Sequence, residues 1–325
     1  MRAVPDADRR DPVAGRTTGE HVHQLPGNIG KGGAPVATGV ALEWSKGGRR
    51  TAPLRFGGGK IDIKAPILEF DRARRAVIEP GFQIRKRAVP RHCVLPFFLE
   101  TIRKLRPRGR VVARTASEAG TNPMLGIKFH GRPLAVMHAG VGGPLSGAFL
   151  EEAIAWGCRY FIAVGSAGSL KPGLPRGALV VPVSAVRDEG TSYHYLPAGR
   201  EVRPHPDAVG ALSATLKRHG VPFIKGKTWT TDAFYRETRR KVAARRAEGC
   251  VTVEMEAASL FAVARFRRVK LGILLYRADD VSGANWDSSG LRGLYRLREK
   301  AFQLAAEACL RMTGGRHRGR CRNPQ

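Results

Sequence analysis

Residues 134–168 read LAVMHAGVGGPLSGAFLEEAIAWGCRYFIAVGSAG. Two short apolar runs, at 134–138 and 160–164, have the length and composition of buried strands. Between them Leu145, Phe149, Ala153 and Ile154 fall on one face of a helix, with Glu151 and Glu152 on another. Further β-like runs follow at 178–183, 250–254 and 271–276. Helical patterns follow too, one through Leu260, Val263, Ala264 and Phe266, and one through Leu294, Leu297, Ala301, Leu304 and Ala308. Buried strands separated by helices predict an α/β layered domain with a largely parallel sheet.

The chain of 325 residues is long enough for one large domain or two small ones. Residues 1–65 show no apolar period, are rich in Gly, Pro, Thr and Arg, and hold Gly57-Gly58-Gly59, so a disordered basic extension is expected there. A catalytic domain over 66–312 and a basic tail over 313–325, with Arg316-His-Arg-Gly-Arg-Cys-Arg, complete the expected division. No run of eighteen apolar residues suggests a membrane span, and Met1-Arg-Ala-Val-Pro lacks the apolar core of a secretory signal. Cys93, Cys158, Cys250, Cys309 and Cys321 have no C-x-x-C spacing, which argues against a zinc site or a disulfide framework and for a reducing cytoplasm. Lys and Arg number 56 against 27 Asp and Glu, a formal charge of +29 spread along the whole chain. Such a surface attracts polyanions non-specifically and in a salt-dependent way.

In open α/β sheets, ligands bind where strands end in loops at their carboxyl ends. Gly140-Val-Gly142-Gly143-Pro144, before the 145–154 helix, fits either a backbone cradle for an anion or a tight strand-to-helix turn. It is not a dinucleotide fingerprint, because Leu145 stands where the third glycine belongs. Gly165-Ser166-Ala167-Gly168 offers one hydroxyl at the next strand exit. Arg187-Asp-Glu-Gly-Thr-Ser-Tyr-His194 concentrates polar groups, either for a ligand or for the loop's own hydrogen bonds; His138, His194 and His205 lack metal-pair spacing. In Val253-Glu254-Met255-Glu256, acids enter an apolar strand-to-helix junction, where they need partners. A carboxylate accepts from two neighbouring hydroxyls at once, as on a ribose diol, and a structural ion pair with an arginine is the other account. In Tyr276-Arg-Ala-Asp279-Asp280-Val-Ser282 an aspartate at a strand exit suits a general acid, or else a turn.

Taken in order, six segments resemble the nucleoside phosphorylase family, its uridine phosphorylase-like branch in particular. They are Gly142-Gly143-Pro144, Gly165-Ser-Ala-Gly168, Ala185-Val-Arg-Asp-Glu-Gly-Thr-Ser, Thr231-Asp-Ala-Phe-Tyr235, Val253-Glu-Met-Glu-Ala-Ala258 and the aspartate after the last strand. The resemblance covers about 66–287 and implies a three-layer α/β nucleoside phosphorylase-like fold, with a central mixed, largely parallel sheet flanked by helices. It also implies that Met255 and Glu256 hold the ribose and that Phe234 lies against the base. Thr238 and Arg240 stand where uridine-type members place a Gln and an Arg, and Asp279, with Arg240, would offset charge on the leaving base. Gly81 and Arg85, in Pro80-Gly81-Phe-Gln-Ile-Arg85, and the hydroxyl of Ser166 are the implied phosphate ligands. Ala163 occupies the position of the family's second phosphate arginine.

The implied reaction is phosphate-dependent cleavage of an N-glycosidic bond, uridine-like substrates first, by a homo-oligomer that uses inorganic phosphate and no metal or organic cofactor. Two rivals stand beside it. A nucleosidase on the same fold would use water, which Ala163 suits; an inactive scaffold that binds nucleotides or nucleic acid would explain the +29 charge.

Overall fold

The computed structural model describes residues 55–56, 59–60, 65–83, 88–118, 120–288 and 293–313. The chain divides into a unit of residues 1–61 and a unit of residues 62–325. In the first, β1 (Arg55–Phe56) pairs antiparallel with β2 (Gly59–Lys60). Nearly all of the extension expected over 1–65, and all of the tail beyond 313, lies outside the described residues.

The second unit begins with a 3-10 turn (Pro66–Leu68) and the one-turn α1 (Pro80–Gln83). Then come β3 (His92–Pro96), α2 (Leu99–Leu105), β4 (Arg110–Ser117), β5 (Gly120–Phe129), β6 (Arg132–Val136), α3 (Gly143–Trp156) and β7 (Tyr160–Ser169). These are followed by β8 (Leu179–Asp188), α4 (Thr191–Tyr195), β9 (Glu201–Val202), α5 (Pro206–Arg218) and β10 (Phe223–Thr231). The chain finishes with α6 (Arg239–Ala247), β11 (Cys250–Glu254), α7 (Ala257–Arg267), β12 (Lys270–Asp280) and α8 (Tyr295–Arg311).

The strands run β11-β10-β8-β12-β7-β3-β6-β5-β4 across one mixed sheet. The β6–β3–β7–β12 and β8–β10–β11 pairings are parallel, and the β4–β5–β6 edge is antiparallel. A second pairing of β11 onto β7, Thr252 opposite Ser169 and Val253 opposite Gly168, curls one half of the sheet back on itself. That closure sets the Glu254 junction beside Gly168, near the end of β7, although the two are more than eighty residues apart in sequence.

Two apolar layers cover the sheet. On one face Phe149, Leu150 and Trp156 of α3 pack with Leu260, Phe261 and Val263 of α7 over Phe161, Ala163 and Ile273. On the other, Leu212 and Leu216 of α5 and Phe302, Leu304 and Leu310 of α8 cover Val94, Ile162 and Leu274. Full burial of each Leu, Ile or Phe side chain stabilises by about 1.5–3 kcal/mol.

Local chemistry sets the boundaries. Gly142 (φ 83°) occupies a conformation that a side chain disfavours, Pro144 then pre-sets the first turn of α3, and Gly157 (φ 127°) ends the helix. The strand expected at 134–138 starts two residues earlier, because the His130-Gly131 turn (φ 46° and 75°) closes a hairpin with β5.

Candidate active site

The Gly140-Val-Gly142-Gly143 turn, the end of β11 and the start of α7 meet at one point. There the Gly142 amide donates to Glu256 Oε1 at 2.6 Å. Gly143 packs against Ser259 Oγ so closely that no Cβ fits, and Thr191 closes in from α4. Ser259 Oγ donates to Glu189 Oε2 (2.6 Å), which also accepts from the Ser192 amide (2.9 Å). The turn is thus wedged between two helices, and its amide is aimed at Glu256.

The two acids of the junction have different tasks. Glu254 Oε2 accepts from the amides of Glu256 (2.8 Å) and Ala257 (2.6 Å), and its Oε1 accepts from Thr230 Oγ1 (2.6 Å). It caps α7 from inside the protein, so neither a ribose contact nor an arginine ion pair describes it. Glu256 is 7% exposed, and its carboxyl accepts from the Met255 backbone as well as from the Gly142 amide. Burial, followed by repulsion from Glu254, pushes the Glu256 carboxyl up to about 8. Burial likewise lifts Glu254 to about 7, against the hydrogen bonds from Thr230 and the two amides. Met255, between them, is half-buried.

The end of β12 separates the neighbouring aspartates. Asp280 accepts from Arg277 Nη2 (3.1 Å) and the Ser282 amide (2.7 Å), so it builds the turn. Asp279 accepts from the Trp286 indole at 2.7 Å, and its Oδ1 lies 3.4 Å from the place a Cβ on Gly168 would take. Glu237 belongs to the same corner. Burial first, and the charge of Asp279 second, raise its carboxyl to about 7. Sequence reasoning missed both Glu237 and Trp286. An acid three residues after Phe234 and a tryptophan seven after Asp279 carry no spacing signal of their own.

Phe234 is 49% exposed and its ring centroid lies 4.1 Å from that of Tyr235, a face open to a flat ligand. Arg240 is exposed on α6. Thr238 is engaged otherwise: its Oγ1 accepts the Lys241 amide at 3.4 Å as the N-cap of α6.

Gly81 sits exposed in α1, ahead of β3, and α1 packs against α3. Arg85 lies outside the described residues. The first strand of the main sheet is β3, and its exit reads Phe97-Phe98-Leu99, with neither a glycine nor an arginine. Phe97 lies on Gly165, where an added Cβ would stand 2.6 Å from Phe97 Cδ2. Ser166, exposed, opens beside these rings, and Ala163 is wholly buried.

The histidines are structural. His138 Nδ1 accepts the Gly140 amide (3.1 Å) and Nε2 faces Phe97 O (3.2 Å), so the ring pins the glycine turn; burial lowers its pKa. His205 accepts the Asp207 amide as the cap of α5, and His194 is exposed on α4. The 187–194 loop secures itself, with Arg187 donating to Ser192 Oγ, Pro197 O and Leu196 O. Among the described residues no group of three or more His, Cys, Asp or Glu is placed to hold a metal, and no helix is long and apolar enough to cross a membrane.

A uridine phosphorylase from Thermococcus kodakarensis is 34% identical over 164 residues, covering 45% of this chain and 57% of its own. A guanosine phosphorylase from Halorubrum lacusprofundi is 28% identical over 151 residues, covering 46% and 63%. The chain thus spans about three-fifths of the length of the curated relatives it matches. The crystal structure of purine nucleoside phosphorylase from Toxoplasma gondii shares the fold, with a TM-score of 0.61 at 21% identity over 72% of this chain and 96% of that one. The sequence model of the phosphorylase superfamily matches residues 95–311, from the end of β3 to the last residue of α8, and the chain belongs to that superfamily.

Proposed function

We propose that the protein cleaves the N-glycosidic bond of a nucleoside and transfers the sugar to inorganic phosphate. The observation that carries this reading is Glu256, a buried carboxylate that accepts the Gly142 amide on one oxygen, at the strand-to-helix junction whose Val253 packs on Gly168 beside Asp279. A carboxylate held in that way accepts from a sugar hydroxyl without first having to be ordered.

As the bond to the base lengthens, C1′ becomes electron-poor and the base gains negative charge. Glu256 and Met255 fix the ribose, and phosphate attacks C1′ from the side of Ser166. Asp279, aided by Arg240, offsets charge on the leaving base, with Phe234 against its face. The bond from C1′ to phosphate oxygen replaces the bond to the base nitrogen, and the base takes up a proton from Asp279 or from water. Positioning and electrostatics supply the rate, without a covalent intermediate on the protein. Uridine is the first substrate to test, from the name of the Thermococcus relative; the guanosine phosphorylase makes guanosine the second. The reading places the enzyme in the cytoplasm as a homo-oligomer; exposed Val77, Ile78 and Phe82 are apolar surface that a second copy would cover.

Hydrolysis is the second reading, favoured by Ala163 and by the Phe97 ring over Gly165, which leave β3 and β7 without an arginine at this corner. A panel of nucleosides incubated with and without phosphate tests both. Phosphorolysis predicts release that requires phosphate and a preferred base within the panel. Equal release in both tubes would hand the function to water, and no release in either would leave a binding scaffold.

A further inference from the structure

The corner around Ser166 contains a cation that the sequence did not point to. Beside Ser166 lies a cavity of about 390 Å³, lined by Phe97, Phe98, His138, Tyr276 and Arg298 among others. It opens at the carboxyl ends of β3 and β7, where ligands of such sheets bind. Val141 lines it as well, and the next amide along the chain, Gly142, is the one bound to Glu256. The cavity therefore adjoins the sugar side of the site.

A phosphate dianion needs charged donors in a fixed geometry, and an arginine fork is the usual means. Neither neighbouring strand exit provides one. β7 has Ala163, wholly buried, and β3 leads into two phenylalanines. His138 is committed on both nitrogens, to the Gly140 amide and to Phe97 O. Arg298 reaches in from the first turn of α8. Its guanidinium carbon lies 5.8 Å from the Phe98 ring centroid, its Nε donates to Tyr276 Oη at 2.8 Å, and its Nη1 donates to Glu100 Oε1 at 2.6 Å. Tyr276 is 1% exposed and sits directly opposite Ser166 in the β12–β7 register. The guanidinium is therefore held rigidly beside the serine hydroxyl, while its Nη2 makes no hydrogen bond to a described residue.

We propose that Arg298 supplies the phosphate clamp that β7 lacks, with inorganic phosphate seated in this cavity between the Ser166 hydroxyl and the Nη2 edge of Arg298. Tyr276 and Glu100 orient the guanidinium, and the Glu100 carboxylate competes with phosphate for it. This assignment rests on the phosphorolysis reading and names the anion subsite of the same site.

The test is steady-state kinetics on the full chain with phosphate as the varied substrate and nucleoside saturating, then the reverse. Arg298→Met raises the phosphate KM by about tenfold or more and leaves the nucleoside KM within about twofold, with Arg298→Lys in between. Glu100→Gln, which removes the competing charge, lowers the phosphate KM. A purely structural ion pair would instead make both substitutions harmful and would not separate the two substrates. An unchanged phosphate KM in Arg298→Met, or a raised one in Glu100→Gln, overturns the clamp. Should Arg298→Met fail to fold, the direction of the Glu100→Gln shift decides alone. Wild-type release that ignores phosphate overturns the phosphorolysis reading and the clamp with it. Phosphate-dependent release with an unmoved Arg298→Met KM removes only the clamp.

Discussion

Two glutamates two positions apart do different work here, and they predict different phenotypes. In the proposed reaction Glu256 accepts sugar hydroxyls as the ionised form, and its carboxyl is pushed up to about 8. kcat/KM for the nucleoside is therefore expected to rise with pH through about that value. Glu256→Gln flattens the profile and lowers kcat/KM by about a hundredfold, roughly 3 kcal/mol, with the far-UV spectrum unchanged; retained wild-type activity would remove the ribose assignment. Glu254 gives a prediction about stability. The Glu254 and Glu237 carboxyls are raised to about 7, so between the ordinary carboxyl value and that pH the folded state holds protons that the unfolded chain has released. Their contribution is most favourable below the unfolded value and declines as pH rises through the folded one. The melting temperature should fall between about pH 5 and pH 8, and Glu254→Gln should reduce that fall; a melting temperature that rises over the interval would contradict it. The Val253-Glu-Met-Glu motif was legible in sequence, but its division of labour was not. Which acid faces inward to cap α7 depends on the β10 threonines, and only the folded sheet brings those alongside.

At the scale of elements, the 134–168 stretch foretold its strand, turn, helix and strand, but β6 begins and ends two residues earlier than expected, at Arg132 and Val136, and β7 runs on to Ser169, so that Gly165–Gly168 lies within the strand. β3 and β10 were not legible. β3 is five residues long and ends in proline, and β10 carries Lys225 and Lys227, so neither reads as a buried apolar run. Gly81 and Arg85 were read by spacing alone; Gly81 lies in α1, ahead of the main sheet, and the exit of β3 carries Phe97. The Phe97–Gly165 contact yields a check. Gly165→Ala should cost about 1–3 kcal/mol from overpacking, and Phe97→Ala in the same chain should recover part of that loss. Strictly additive losses in the double variant would mean the two residues do not touch. The glycine turn has a similar test. Gly142→Ala, at φ 83°, should cost about 1–2 kcal/mol and also raise the nucleoside KM, because the displaced amide no longer fixes Glu256. A stability loss with an unchanged KM would separate the turn from the site.

On the scale of the whole molecule, composition said least about function. The +29 charge runs along the entire chain, yet at the Ser166 cavity it resolves into one arginine already shared with a glutamate. Net charge therefore says little about whether this corner accepts phosphate. The curled sheet says more, because the β11–β7 closure brings the junction after Val253 beside Gly168 and Asp279 from segments far apart in sequence. The central claim is that the rim passes a sugar to phosphate. Phosphorus NMR of the wild-type protein with uridine or guanosine and inorganic phosphate tests it most directly. Loss of the inorganic phosphate signal and growth of a sugar 1-phosphate signal in step with free base are expected. Free base that accumulates with the phosphate signal unchanged would contradict it.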